Sequence, residues 1–399
     1  MQSNRPQIVL EPPCLLYPNL DFEEELAGGA AASSRVVSQV LRDIGPVMAF
    51  AARAGDQILT ATGVVLPRQT EGVTVTDDLP SDLKLIVPWG WSAGARRLAA
   101  RIGMPQNLIP TEESVRQVND RRFLIEHDLV AMPDGLLSQI PVGQFCTSMA
   151  DVHQAVRTVL SFGDRWVMKP QFSQAARNRL TGGRDQLSRS QQKWVESAID
   201  TGVTVEPWLE RQTQAGLQFE ITPSVDADGS IRFLGVAELL TTAGGQYLGS
   251  VLVPGSEATW AAAIEHGTHV CVSLRDAGYF GPVGIDAFRY LSSAGHQCVR
   301  LCHDINARWT MGRLALCLNQ FCDDGETAVW LHLSPSEVEQ ICAAAEKGLR
   351  EPEVAGVRTL NTGCRSAELQ FASVLLIGET KQRLQRFLNS CGCSVEIPD

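Results

Sequence analysis

The hydrophobic pattern changes character twice along the chain. Between residues 1 and about 115, short apolar runs alternate with segments of small residues. Leu83 to Val87 is apolar enough to predict a buried strand, and Pro88-Trp89-Gly90-Trp91 reads as a turn. Ala93 to Ile102 then repeats at helical spacing and stops at Gly103, a C-cap residue. Strand, turn and helix in that order predict a small open α/β domain. From about 111 the periods sharpen. Thr111 is placed to cap a helix running to Val118, and helical spacing returns from Asp151 to Phe162 and from Ser188 to Ile199. Strands are predicted at Arg165–Pro170 and Val203–Glu206, then at 217–225 and 231–240 around the turn signal Asp226-Ala227-Asp228-Gly229. A long helix from Glu257 to Asp276 precedes a last pair of strands, Val283–Tyr290 and Cys298–Ile305. The remaining residues, 326 to 399, predict a helix from near Pro335, a strand at Ser373–Gly378 and a helix at Thr380–Asn389, a small α/β appendage.

Length and composition narrow the picture. A chain of 399 residues predicts two or three domains, and 44% hydrophobic with 20% charged residues supports real cores. A formal charge of −11 argues against nucleic acid or an anionic membrane as the main partner. The N-terminal apolar run is broken by Glu11 and Pro12, too short for a signal segment, and no stretch approaches the roughly 20 apolar residues of a membrane span. A cytoplasmic protein is the expectation. None of the 11 cysteines makes a paired C-x-x-C spacing, so buried reduced thiols are expected.

The chemistry concentrates in the last strand pair. In Gly284-Ile285-Asp286-Ala287-Phe288, alternation sets Asp286 on the face opposite Ile285 and Ala287. In Cys302-His303-Asp304-Ile305-Asn306-Ala307-Arg308, Asp304 and Asn306 share one face, and Arg308 does too if the strand continues. The connection is short enough for an antiparallel pair, and an even register sets Asp286 beside Asp304. Two carboxylates and an amide oxygen form a hard-oxygen set suited to Mg²⁺ bound together with substrate phosphates. A solvated polar hairpin face would look the same in isolation.

The surrounding motifs resemble the ATP-grasp family, whose nucleotide-binding part closes on an acidic residue, a spacer, Asn, a spacer and often Arg. Here that is Asp304-Ile305-Asn306-Ala307-Arg308, with Asp286 as the upstream carboxylate. The resemblance implies that Asp286, Asp304 and Asn306 hold one or two Mg²⁺ ions and that Arg308 meets charge building on the γ-phosphate. It also matches Lys169, in Val167-Met168-Lys169-Pro170, to the lysine that reaches the α- and β-phosphates. Asn119-Asp120-Arg121-Arg122 resembles the family's Asn-Asp-Lys element, with Arg121 at the α-phosphate position and the choice between Arg121 and Arg122 left open. Val205-Glu206-Pro207-Trp208-Leu209 resembles the hinge, which implies that the backbone of Glu206 and Leu209 meets the adenine edge and Trp208 walls it. Gln218 falls near the family's ribose carboxylate. The segment after Lys169-Pro170 lacks the family's flap glycines, and Arg177 is the cation that would stand in for bare amides. The turn at 88–91 and the strand at 373–378 resemble the peptide-ligase branch typified by the pheganomycin-type enzyme.

These matches imply an ATP-grasp fold at 116–325, with subdomains of about 116–203 and 204–325. A pre-ATP-grasp domain at 1–115 precedes it and a C-terminal extension at 326–399 follows. The implied activity joins a small-molecule carboxylate to an amine through an acyl-phosphate, using ATP and Mg²⁺, with a homodimer among the assemblies to consider. A kinase with a hydroxyl acceptor and a nucleotide-binding protein without turnover share the same motifs. Acceptor contacts are expected in the loop Thr242–Gly249 and at Arg313.

Overall fold

The computed structural model describes residues 13–28, 39, 42–61, 63–81, 83–131, 143–172, 178–223, 230–242, 244–292, 295–346, 354–365 and 369–398, and the backbone of 137–138. Three sheets organise them. The first is parallel, in the order Thr74–Thr76, Gln57–Leu59, Leu15–Tyr17, Ile86–Pro88. Leu15–Tyr17 and Ile86–Pro88 are short, apolar and largely buried, whereas the edge strand Thr74–Thr76 is partly exposed. Strand Leu15–Tyr17 lies inside the sheet, so the chain reverses direction of travel between it and Ile86–Pro88. A crevice opens at the carboxyl ends of such a pair. The helices Phe22–Leu26 and Ala93–Arg101 follow these two strands, the second capped by Ser92.

The second sheet is antiparallel, in the order Gln144–Cys146, Val203–Pro207, Trp166–Pro170, Leu180–Gly182. Helix Met149–Leu160 buries Val152, Ala155, Val156 and Val159 in a core shared with Trp166, Met168, Val203 and Val205. Helix Arg189–Ala198 adds Val195, and its start is fixed by a capping box between Ser188 and Gln191.

The third sheet has ten strands, all antiparallel. Its order is Arg358–Asn361, Ala372–Gly378, Thr327–Leu333, Tyr247–Leu252, Ile231–Thr241, Arg211–Ile221, Gly281–Leu291, Gln297–Asn306, Val130–Ala131, Leu137–Ser138. Helix Ala261–Asp276 packs on one face, where Gly267 lets the backbone approach Phe219; a Cβ there would come within 2.9 Å of the ring. Helix Met311–Cys317 lies on the other face, with Leu316 against Gly235 and Gly312 over Gln218.

Three expectations from the sequence are revised. The residues after 326 do not stand apart: Thr327–Leu333 pairs with Tyr247–Leu252, so the last segment extends the large sheet. The stretch expected as an open loop at 242–249 is partly ordered among its described residues. Thr242 and Gln246 close a tight turn, with Gly245 at φ +73°, and Tyr247 begins a strand. The long helix is interrupted at Trp260, whose indole is buried. The turn 226–229 lies outside the described residues, but the strands flanking it pair as expected.

Candidate functional site

The facing carboxylates take the register that alternation requires: Asp286 lies directly opposite Asp304, and Gly284 opposite Asn306. The amide of Asn306 reaches Asp286 Oδ2 at 3.5 Å. Burial and the negative charge of Asp304 push the Asp286 carboxyl up to about 7. Arg121 crosses from the start of helix Arg121–His127, with Nη1 3.3 Å from Asp304 Oδ1 and Nε donating to Pro170 O at 3.1 Å. Arg122 points elsewhere, paired with Asp120 and lying over the Phe145 ring. Of the two arginines, Arg121 faces the carboxylates. Asn119 and Asp120 shape this corner. Asn119 Oδ1 accepts from Ala307 N–H at 3.2 Å, and Asp120 caps the helix and receives Gln171 Nε2 at 2.6 Å.

Arg308 extends past the strand end. Its Nη2 donates to Asn306 Oδ1 and its Nη1 to Trp309 O, both at 2.8 Å, and Nε pairs with Glu23 from the first layer. Glu23, Asn119, Arg121, Gln171, Asp304 and Asn306 line one open crevice of about 410 Å³. It sits between the parallel sheet, the second sheet and the large sheet.

A second constellation lies deeper. Lys169 Nζ is 3.0 Å from Glu206 Oε1, and the Glu206 carboxylate also receives Arg300 Nη1 at 3.2 Å. Arg300 in turn holds Asp128, with Nε 2.9 and 3.0 Å from its two oxygens. Burial holds Lys169 down to about 8, with Glu206 pulling the other way. Burial also pushes Glu206 up, but Lys169, Arg300 and Arg121 outweigh it and hold the carboxyl at about 2. His303 joins through Arg211 Nη2 at 2.9 Å, and burial keeps its ring neutral.

The hinge differs from expectation in one respect. Gln171 N–H donates to Gly202 O and Trp208 N–H to Arg165 O, so the antiparallel alternation commits the Glu206 main chain to Val167. Glu206 therefore offers its carboxylate to the site, not its backbone. The Trp208 ring lies between the guanidiniums of Arg165 and Arg179, at 5.0 and 5.1 Å, and Leu209 packs with Val130, Phe288 and Tyr290. Arg177 lies outside the described residues, while Leu180–Gly182 returns as a strand beside Trp166–Met168. Gln218 turns inward and accepts from Thr310 Oγ1 at 2.7 Å. Arg313 is buried against Glu220 and stacks on Trp309 at 4.5 Å, beside a second pocket that Trp91, Phe280 and Pro282 also line.

Arg300, Asp128, Arg211, His303 and Glu23 were not singled out from the sequence. Arg300 stood an even number of positions from Asp304, so alternation could have flagged it. His303 could not be found that way. Residues 301–303 together oppose Ala287, an irregularity that sends Leu301 and Cys302 into the core and frees His303 to meet Arg211. Asp128 and Glu23 come from distant turns of chain and carry no periodic signal. None of the 11 cysteines forms a disulfide, and none lines the crevice.

No family model and no curated protein matches the sequence. The fold does match solved structures. The N5-carboxyaminoimidazole synthetase of Staphylococcus aureus aligns with a TM-score of 0.55 at 11% identity, over 95% of this chain and 96% of that one. The N5-carboxyaminoimidazole ribonucleotide synthetase of Thermus thermophilus gives 0.53 at 13%, over 97% and 99%. A biotin carboxylase–β-γ-ATP complex from Campylobacter jejuni gives 0.53 at 10%, over 94% and 90%. The chain has the ATP-grasp fold. Among the described residues no helix is long and apolar enough to cross a membrane.

Proposed function

We propose that this chain is an ATP- and Mg²⁺-dependent ligase that joins a carboxylate to an amine through an acyl-phosphate. One observation carries the reading. Asp286 and Asp304 face each other in register, with Asn306 and Arg308 beside them and Arg121 and Lys169 closing the same side of an ATP-grasp fold. Among the described residues no three His, Cys, Asp or Glu side chains gather as a metal group. Two carboxylates and an amide oxygen instead fit Mg²⁺, which takes few protein ligands and shares its shell with substrate phosphates. Asp286, Asp304 and Asn306 would hold it, and bound there it would neutralise charge on the transferring phosphoryl group.

The protein's own groups do the remainder. Arg121 and Lys169 supply fixed positive charge along the phosphate path, and Arg308 meets the charge that grows on the outermost phosphoryl. Trp208 and Leu209 wall the adenine. Peptide-bond formation is the finer reading we favour. The panel that tests it includes bicarbonate, because proteins of this fold are named for carboxylation.

The test couples binding to turnover. Calorimetry should show ATP binding that weakens strongly when EDTA removes Mg²⁺; equal affinity would discard the metal assignment. Phosphate release should then appear with one acid–amine pair and require both. ADP formed without free phosphate would mean a kinase, and tight binding with no release on any pair would mean a binder without turnover.

A further inference from the structure

Resting on the reading of Arg308 as the group that meets phosphoryl charge, we propose that Glu23 is its positioning residue, supplied to the site by the N-terminal layer. Arg308 has three polar anchors among the described residues. Two are local, the carbonyl of Trp309 and the side chain of Asn306, and they move with the strand end. The third, Glu23 on Nε, comes from helix Phe22–Leu26 of the N-terminal layer and fixes the guanidinium against rotation about its long stem. The Trp89 ring, 6.0 Å from the guanidinium carbon, backs the same group. Both charged side chains are nearly buried, at 12% and 11% exposure, so water does little to screen the contact.

Glu23 is itself held firmly. The Phe22 ring fills the space above Gly90, where a Cβ would sit 2.5 Å from the ring. The Glu25 carboxylate receives Ser92 Oγ and Gly94 N–H, both at 2.8 Å, and Arg116 Nη1 donates to Leu26 O at 2.6 Å. A five-residue helix would fray in isolation. Tied at both ends, it delivers one carboxylate to a fixed point in the crevice beside Asp304 and Asn306. The pairing also tempers the pull of Arg308 on a ground-state phosphate, so its interaction strengthens mainly as charge develops.

The experiment uses the full chain and five variants. With the acid–amine pair that supports phosphate release, Glu23→Ala should lower kcat by about 30-fold or more while the KM for ATP stays within about 3-fold. Glu23→Gln should lose less, because the amide oxygen still accepts from Nε. In an Arg308→Lys background, Glu23→Ala should add little, since the residue acts through Arg308. Glu24→Ala removes the same charge one residue away and should leave kcat unchanged. Thermal melting confirms that each variant is folded. A separate readout needs no substrate: the Arg308 Nε–Hε resonance, assigned by its loss in Arg308→Lys, should be shifted and protected from exchange, and should return to the free-arginine position in Glu23→Ala. Unchanged kcat, losses that simply add in the double variant, or an unmoved resonance would each overturn the proposal. If the unaltered protein neither binds MgATP nor releases phosphate, the ligase reading fails, and the resonance still decides the contact.

Discussion

The deep and the open ends of the site handle charge in opposite ways. At the deep end, Lys169, Glu206, Arg300 and Asp128 neutralise one another through buried ion pairs. At the open end, Asp286 and Asp304 face each other, and Asn306 and Arg121 only partly offset them. In the deep network Arg300 with Asp128 and Glu206 forms a rigid frame, and Lys169, held on Glu206, is the one member placed to turn a charge toward a phosphate. A row of facing carboxylates is electrostatically incomplete, and cations or phosphate-bound metal complete it. Placement along the same strands thus separates residues that hold the site from residues that act in it.

Breaking the closed end should have the largest effect on stability. Arg300→Met leaves Asp128 and Glu206 buried without their shared partner, and stability should fall by about 3–5 kcal/mol. Urea unfolding measures it; a loss under about 1 kcal/mol would mean the network is softer than its geometry implies. At the open end the sign reverses. Asp286→Asn removes repulsion against Asp304, so the melting temperature should hold or rise, while turnover drops about 10²–10³-fold. A destabilised protein with intact turnover would erase the distinction between the two ends.

The boundary between them should show in proton uptake. Lys169 is held near 8 chiefly by burial, with Glu206 raising it and Arg121 and Arg300 lowering it further. In the free protein its ammonium is lost as pH rises through 8, and a bound phosphate would draw the proton back. Nucleotide binding near pH 8 should therefore take up about half a proton, and affinity should decline between pH 7 and 9. Calorimetry in two buffers of different ionisation enthalpy reads this directly. Lys169→Met should abolish the uptake; if it persists, another group titrates. The smallest effect is expected from Arg122→Ala, whose side chain points away from the carboxylates, with less than about 3-fold change in kcat/KM.

Much of this was legible beforehand because it rests on local rules. Period-2 alternation put Asp286, Asp304 and Asn306 on one face, and capping chemistry at Thr111 located a helix start. Sequence alone therefore determined the carboxylate row and most boundaries of the elements it predicted, since each depends on residues a few positions apart. Other features depended on which distant segments meet. Residues after 326 joined the large sheet because Tyr247–Leu252 presented an edge for Thr327–Leu333, and nothing in either stretch names its partner. The bulge opposite Ala287 turned His303 toward Arg211, against the parity its position suggests. Glu206 gave its main chain to Val167 because the neighbouring strand, not its own motif, set the hydrogen-bond phase. Glu23 reached Arg308 only through the packing of one layer on another. Alternation and capping are short-range and act within one segment, whereas pairing partner, register and layer contact are properties of the assembled chain.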